Sequence, residues 1–223
     1  MTQLSGFSVH HVCRLPVLAI AVAALVLGTH PALAEDAAKG APSGALGPLD
    51  LVKSSVSRVM TIVQSQPDGG QRRAEVRQVA ETLFDFNEIA RRTLAQHWTE
   101  RSAQEQEEFI QLFTDLLERS YLTTIGNYRL ATVTFQGESV AGSSARVRSS
   151  LVTDRRVTIP IEYRLLESGG QWSVYDVVVE GVSLISSYRS QFNSIIRTSS
   201  FARLLDKLRN REAHLTPGAG QGP

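Results

Sequence analysis

QWSVYDVVVEGVSLISSYRSQFNSIIRTSSFARLLDKLR, residues Gln171 to Arg209, decides how this chain folds. Trp172 to Val179 is apolar and β-branched enough for a strand, and Glu180-Gly181 turns the chain at its end. From Ser183 the period changes to that of a helix running to about Arg209. Leu184, Tyr188, Phe192, Ile195, Ile196, Leu204, Leu205 and Leu208 fall mostly on one side, with an interruption expected at Thr198-Ser199-Ser200. A strand that runs straight into a long amphipathic helix, with no catalytic residue between them, suggests a binder.

Upstream of that join the apolar period is two. Strands are expected at Leu130 to Phe135, Ala145 to Val152 and Arg156 to Leu166, with Gln136-Gly137, Thr153-Asp154 and Ser168-Gly169-Gly170 as turns. Connections this short make antiparallel neighbours, so four strands are expected in one sheet. Val157, Ile159, Ile161, Tyr163 and Leu165 alternate onto one face of the third strand, where Tyr121 and Ile125 can meet them. An ordinary packed core and a wall lining a ligand cavity have the same periodicity, which does not separate the two.

Before Asn127 the chain reads as helical. Val52, Val56, Val59 and Val63 keep helical spacing until Pro67-Asp68-Gly69-Gly70 breaks it, a second helix is expected over Arg72 to Leu83, and a third runs from Asp85 toward Trp98. Ser102-Ala103-Gln104-Glu105 is a capping box opening a long helix with Phe109, Phe113, Leu116 and Leu117 along one face. Helices covering one face of a curved sheet make an α+β fold.

The amino-terminal 34 residues have a different character. Arg14 precedes an apolar run from Leu15 to Leu27, and Ala32-Leu33-Ala34 closes it, which reads as a secretory signal cleaved after Ala34. A retained anchor is the alternative, but the run is shorter than the roughly 20 apolar residues needed to cross a bilayer. Cys13, the only cysteine, leaves with the signal, and so does Arg14, which takes 23 basic against 22 acidic side chains to 22 against 22. A body without basic excess argues against nucleic acid as a partner. About 190 residues remain, one domain's worth. Residues 35–48 read as a flexible leader and residues 212–223 as a disordered tail, leaving 49–211 as the folded body.

The inventory of chemistry is sparse. His97 and His214 are the histidines left after the signal, too few for a histidine zinc site, so neither a metal nor a cofactor is expected. His97 beside Trp98 reads as structural. Glycine fingerprints, P-loops and nucleophile elbows are not found in the sequence. Asp176 and Glu180 fall on one strand face, but at roughly 3.3 Å per residue they stand about 13 Å apart, too far for paired carboxylate chemistry. The Arg91-Arg92 and Arg155-Arg156 pairs read either as solvated faces or as contacts to an anionic head group or partner.

A set of words gives a more specific clue. Phe84-Asp85-Phe86 with Ile89-Ala90, Leu94 and Trp98, the run Gln106 to Phe113, Tyr121, Trp172 to Val177, Glu180 to Leu184 and Tyr188 to Phe192 occur in the order of the MlaC family of periplasmic phospholipid-binding proteins. The resemblance covers about Leu49 to Arg209; the departure is Thr198-Ser199-Ser200-Phe201, where relatives often carry glycine. It implies a nuclear-transport-factor-like sheet packed with helices, and an apolar pocket that takes acyl tails. Tyr121, Ile125, Val157, Ile159, Ile161, Val178, Val182 and Leu184 are the wall positions on this reading. The partners it implies are a phospholipid, an inner-membrane ABC complex and an outer-membrane lipoprotein complex, served by a monomer that is not an enzyme. A related branch implies a hopanoid cargo instead. The rival from another class is a small isomerase of the same fold, with Asp176 working beside Tyr175 or Tyr163.

Overall fold

A computed structural model describes residues 46–65, 69–122 and 130–211. The signal, Cys13, Ile125 and His214 lie outside the described residues.

Six helices and five strands follow one another among the described residues. Helix α1 spans Pro48–Ser65, α2 Gly69–Leu83, α3 Phe86–Leu94 and α4 Ala103–Leu122, with a single 3-10 turn, Ala95–His97, after α3. Pro48 at the first position of α1 has no N–H to leave unpaired. The Glu138 carboxylate accepts from the Leu49 N–H at 2.7 Å, a negative charge where the helix dipole favours one. Asp85 caps α3, accepting from Glu88 N at 2.9 Å. The Ser102–Glu105 box closes in both directions: Glu105 accepts from Ser102 N at 2.9 Å, and Ser102 Oγ accepts from Glu105 N at 3.3 Å.

The sheet is an antiparallel meander in the order β1-β2-β3-β4-β5, formed by Thr132–Ala141, Ser144–Val152, Thr158–Ser168, Gln171–Val179 and Val182–Ser183. It therefore has five strands where four are expected from the sequence. Val182 and Ser183 pair with Val179 and Val178 across the two-residue Glu180-Gly181 loop before the helix begins. Gln136-Gly137 is a bulge and not a turn: β1 continues to Ala141, and Gly137, at φ 109°, absorbs the extra residue. Strand β3 begins at Thr158 and not at Arg156, because Arg156 at φ 60° and the Thr153 N to Val157 O bond of 3.0 Å hold 153–157 as a loop. Gly169 and Gly170, at φ 60° and 79°, make the tight turn between β3 and β4.

The long terminal helix is broken where expected, into α5 (Leu184–Thr198) and α6 (Phe201–Arg209). Ser199 and Ser200 leave helical geometry, and Ser200 Oγ caps α6 by accepting from Arg203 N at 3.1 Å.

Two apolar cores result. The first lies between α1, α2 and one face of the sheet, where Val52, Val56, Val59 and Val63 meet Leu151, Ile161, Tyr163 and Leu165. The second joins α3, α4, α5 and α6 around Phe109, Phe113, Tyr188 and Phe192. Phe84, between α2 and α3, packs against both.

Candidate functional site

The meander gives its strands two faces. On the inner face, toward α1, Ile159, Ile161, Tyr163 and Leu165 are all buried, as the alternation predicts. Val157, in the preceding loop, is half-exposed at 52%. On β4 a bulge opposite Arg164 and Leu165 shifts the alternation. Val174, Val177 and Val179 then pair with inner-face residues, and Asp176 and Val178 pair with Arg164 and Glu162 of the outer face.

The seven wall positions among the described residues are thus distributed and not gathered. Ile159 and Ile161 belong to the inner core, Leu184 and Tyr121 to the helical core, and Val178 is buried on the outer face. Val182, in the short β5, is 54% exposed. The residues that join the two cores, Phe84 above all, are part of the Phe84-Asp85-Phe86 word. Periodicity within single elements misses this contact, because Phe84 stands between α2 and α3.

A cleft of about 500 Å³ opens where the α2–α3 junction meets the β3–β4 hairpin, lined by Glu81, Phe84, Asp85, Phe86, Gln171 and Trp172 among others. None of the seven wall positions among the described residues lines it. Its lining mixes the Phe84, Phe86 and Trp172 rings with the Glu81 and Asp85 carboxylates.

Asp176 does structural work at the join between β4 and α5. It is 3% exposed, accepts from Ser183 Oγ at 2.7 Å and from Ile185 N at 3.2 Å, and pairs with Arg164 Nη1 at 3.2 Å. Its oxygens thereby anchor the first turn of α5 to the sheet. Tyr163, fully buried, faces the opposite side of the sheet, and Tyr175 lies under the Arg92 guanidinium, 4.0 Å from ring centroid to cation. Tyr163 therefore faces away from Asp176, and the ring of Tyr175 is covered by Arg92. Glu180, at φ 50°, sits in the β4–β5 loop and donates its N–H to Pro160 O at 3.0 Å, so it turns the chain as the sequence suggests. His97 is buried with Nε2 3.0 Å from Asn193 Oδ1, a helix-to-helix tie.

Where α4 ends beside α5, the Tyr121 and Tyr188 hydroxyls stand 3.4 Å apart. Burial pushes the Tyr188 phenol up to about 12, and burial likewise raises Tyr121 and Tyr163. A raised folded value means that this stabilisation is full below the unfolded value near 10 and is lost as pH climbs through the folded one. The urea midpoint is expected to fall from about pH 10 upward, and less steeply in Tyr188→Phe. A midpoint that stays flat to pH 12 would contradict this account of Tyr188.

At the α3–α5 contact, Glu88 accepts from Arg91 Nε at 2.7 Å and from Arg92 Nε at 2.6 Å. Its hydrogen bond from Arg91, with help from Arg92, holds the Glu88 carboxyl below its ordinary value against the opposing effect of burial. Among the described residues no cluster of three or more His, Cys, Asp or Glu is arranged to hold a metal, and no helix is long and apolar enough to cross a membrane.

Fold and site together define an α+β protein: an antiparallel meander with helices on it, two apolar cores meeting at Phe84, and an open cleft of mixed polar and aromatic lining beside the meeting point. A family model described as "MlaC protein" matches residues 53–210, and the chain belongs to the MlaC family. A similar curated relative is the intermembrane phospholipid transport system binding protein MlaC of Haemophilus influenzae, 23% identical over 122 residues. That match covers 52% of this chain and 57% of the relative, so the chain spans little more than half the length of the curated relative it matches. Among solved structures, the phospholipid-binding protein of Ralstonia solanacearum, determined in complex with a phospholipid, is similar with a TM-score of 0.67 and 25% identity. The similarity covers 75% of this chain and 97% of that one.

Proposed function

We propose that this protein is a periplasmic lipid carrier, which holds the acyl tails of a phospholipid and passes the lipid between outer-membrane and inner-membrane components of an ABC transport system. The single observation that supports it most is the likeness to the Ralstonia protein over nearly all of that chain, because that protein was captured with a phospholipid.

The physics of such a carrier is simple. Two tails with roughly 30 methylenes cost on the order of 20 kcal/mol to expose to water, so unaided passage through an aqueous space is very slow. Tails gain nearly as much in a protein cavity as in a bilayer, so loading and unloading lie near balance and direction comes from docking partners. Such a carrier uses no reacting groups. A hopanoid would satisfy the same apolar demand and is the alternative cargo.

The proposed lining retains Tyr121, Ile125, Val157, Ile159, Ile161, Val178, Val182 and Leu184. Because Val157 and Val182 are more than half exposed, Val157→Glu and Val182→Glu are expected to change stability by no more than about 0.5 kcal/mol. Both are nevertheless expected to lose retained lipid, since a carboxylate at the edge of an apolar lining must be desolvated when a tail lies against it. Copurified lipid at the parental stoichiometry in both variants contradicts this lining.

A further inference from the structure

The outer face of the sheet is only partly covered among the described residues. Helices α1 and α2 pack on the inner face and α5 meets the sheet at β4 and β5, so over β1 to β3 the outward residues Thr132, Thr134, Arg146, Arg148 and Pro160 are exposed. Strand register sets three arginines together there: Arg146 of β2 stands directly opposite Arg164 of β3, and Arg148 stands opposite Glu162. Directly opposed side chains start about 5 Å apart, and Arg146 and Arg148 follow each other at about 7 Å along β2. Glu162 does not serve the arginine across from it. Arg164 takes it through Nε at 2.9 Å, and takes the buried Asp176 through Nη1 at 3.2 Å. Both acids of this face are thereby bonded to Arg164, and the Arg146 and Arg148 side chains are left without a hydrogen bond or ion pair to any described residue.

Like charges directly opposite each other weaken a sheet, so the Arg146–Arg164 pair is a cost that folding does not need. The chain bears it while its total charge stays balanced: residues 35–223 hold 22 basic and 22 acidic side chains. The unpaired positive charge is therefore local, and a neutral body is drawn to an anionic surface by that face and not by its net charge. The same face offers no large exposed apolar side chain. Val140 lies beside Ala145 on the inner side, and Val157 and Val182 belong to the β2–β3 loop and to β5. Protein interfaces are centred on buried apolar and aromatic anchors, whereas a layer of lipid phosphates asks only for cations and hydrogen-bond donors. The arginines supply the first, and the Thr132 and Thr134 hydroxyls stand on the same face.

We propose that the outer face of β2 and β3 rests, through Arg146 and Arg148, on the phosphate layer of an anionic bilayer. The surface goes beyond the carrier reading, because it concerns how the protein approaches a membrane and not what it carries. An attachment made by exposed charges without an apolar anchor is reversible and is screened by salt.

The test is flotation of the mature chain with vesicles of phosphatidylcholine, with or without phosphatidylglycerol, at low and at physiological ionic strength. Binding is expected only where phosphatidylglycerol is present, and it should weaken as salt rises. Each of Arg146→Gln and Arg148→Gln is expected to reduce it about fivefold, and the double variant about thirtyfold. It should be unchanged in Arg58→Gln/Arg73→Gln, which removes the same charge from exposed positions on α1 and α2, the helices over the inner face. Arg146 and Arg148 are themselves exposed, so the variants keep the fold, and Arg146→Gln, which relieves the charge opposite Arg164, should not lower the urea midpoint. Failure of the parent to float with anionic vesicles at low ionic strength, parental binding in the double variant, or an equal loss in Arg58→Gln/Arg73→Gln overturns the surface. Lipid content is read separately: a lipid-free parent counts against the carrier, and flotation still decides this face.

Discussion

Phe113→Ala is expected to destabilise the protein by about 3 to 5 kcal/mol, enough to remove a large part of the stability of a domain this size. Phe113 is 1% exposed and touches three rings: Phe109 at 5.5 Å, Tyr188 edge-on at 5.0 Å and Phe192 edge-on at 5.2 Å. These rings come from α4 and α5, so the cavity opens between helices and not within one. Offset and edge-to-face pairs add to what burial alone supplies. Phe113→Leu, which fills part of the space, should cost clearly less. Urea unfolding of both variants measures this, and a loss below about 1 kcal/mol in Phe113→Ala would show that the helical core repacks around the void.

The second large effect is at Asp176. Asp176→Ala is expected to cost about 2 to 3 kcal/mol, below the usual cost of breaking a buried pair because Arg164 is a third exposed and keeps Glu162 at 2.9 Å. What is lost is the acceptor for Ser183 Oγ and Ile185 N, so the first turn of α5 should loosen from the sheet. Asp176→Asn keeps one carbonyl oxygen and should cost about half as much. Hydrogen exchange at Ile185 and Ser186 is the sensitive readout, with faster exchange expected in Asp176→Ala. Parental exchange and stability in Asp176→Ala would contradict the anchoring role. For the carrier, Asp176→Asn should leave lipid content intact.

Much of this architecture was legible in the residues. The capping box at Ser102–Glu105, the alternation through Ile159 to Leu165 and the break at Ser199-Ser200 each rest on local chemistry, which a sequence displays directly. The fifth strand was not legible, because Val182-Ser183 is two residues long and is defined by its pairing with β4. Gly137 reads equally as turn or bulge until the partner strand is seen to continue past it. The candidate site was less accessible still. A bulge on β4 puts Val174 on the face opposite Asp176 and Val178, and that shift separates residues that simple counting places together.

The central claim is that the chain carries a lipid, and native mass spectrometry of the mature protein prepared from a Gram-negative periplasm tests it most directly, followed by extraction and identification of anything bound. The account predicts a two-tailed phospholipid at about one per chain, whereas a hopanoid would keep the carrier and change its cargo. A lipid-free protein that also fails to take up phospholipid from vesicles would contradict it.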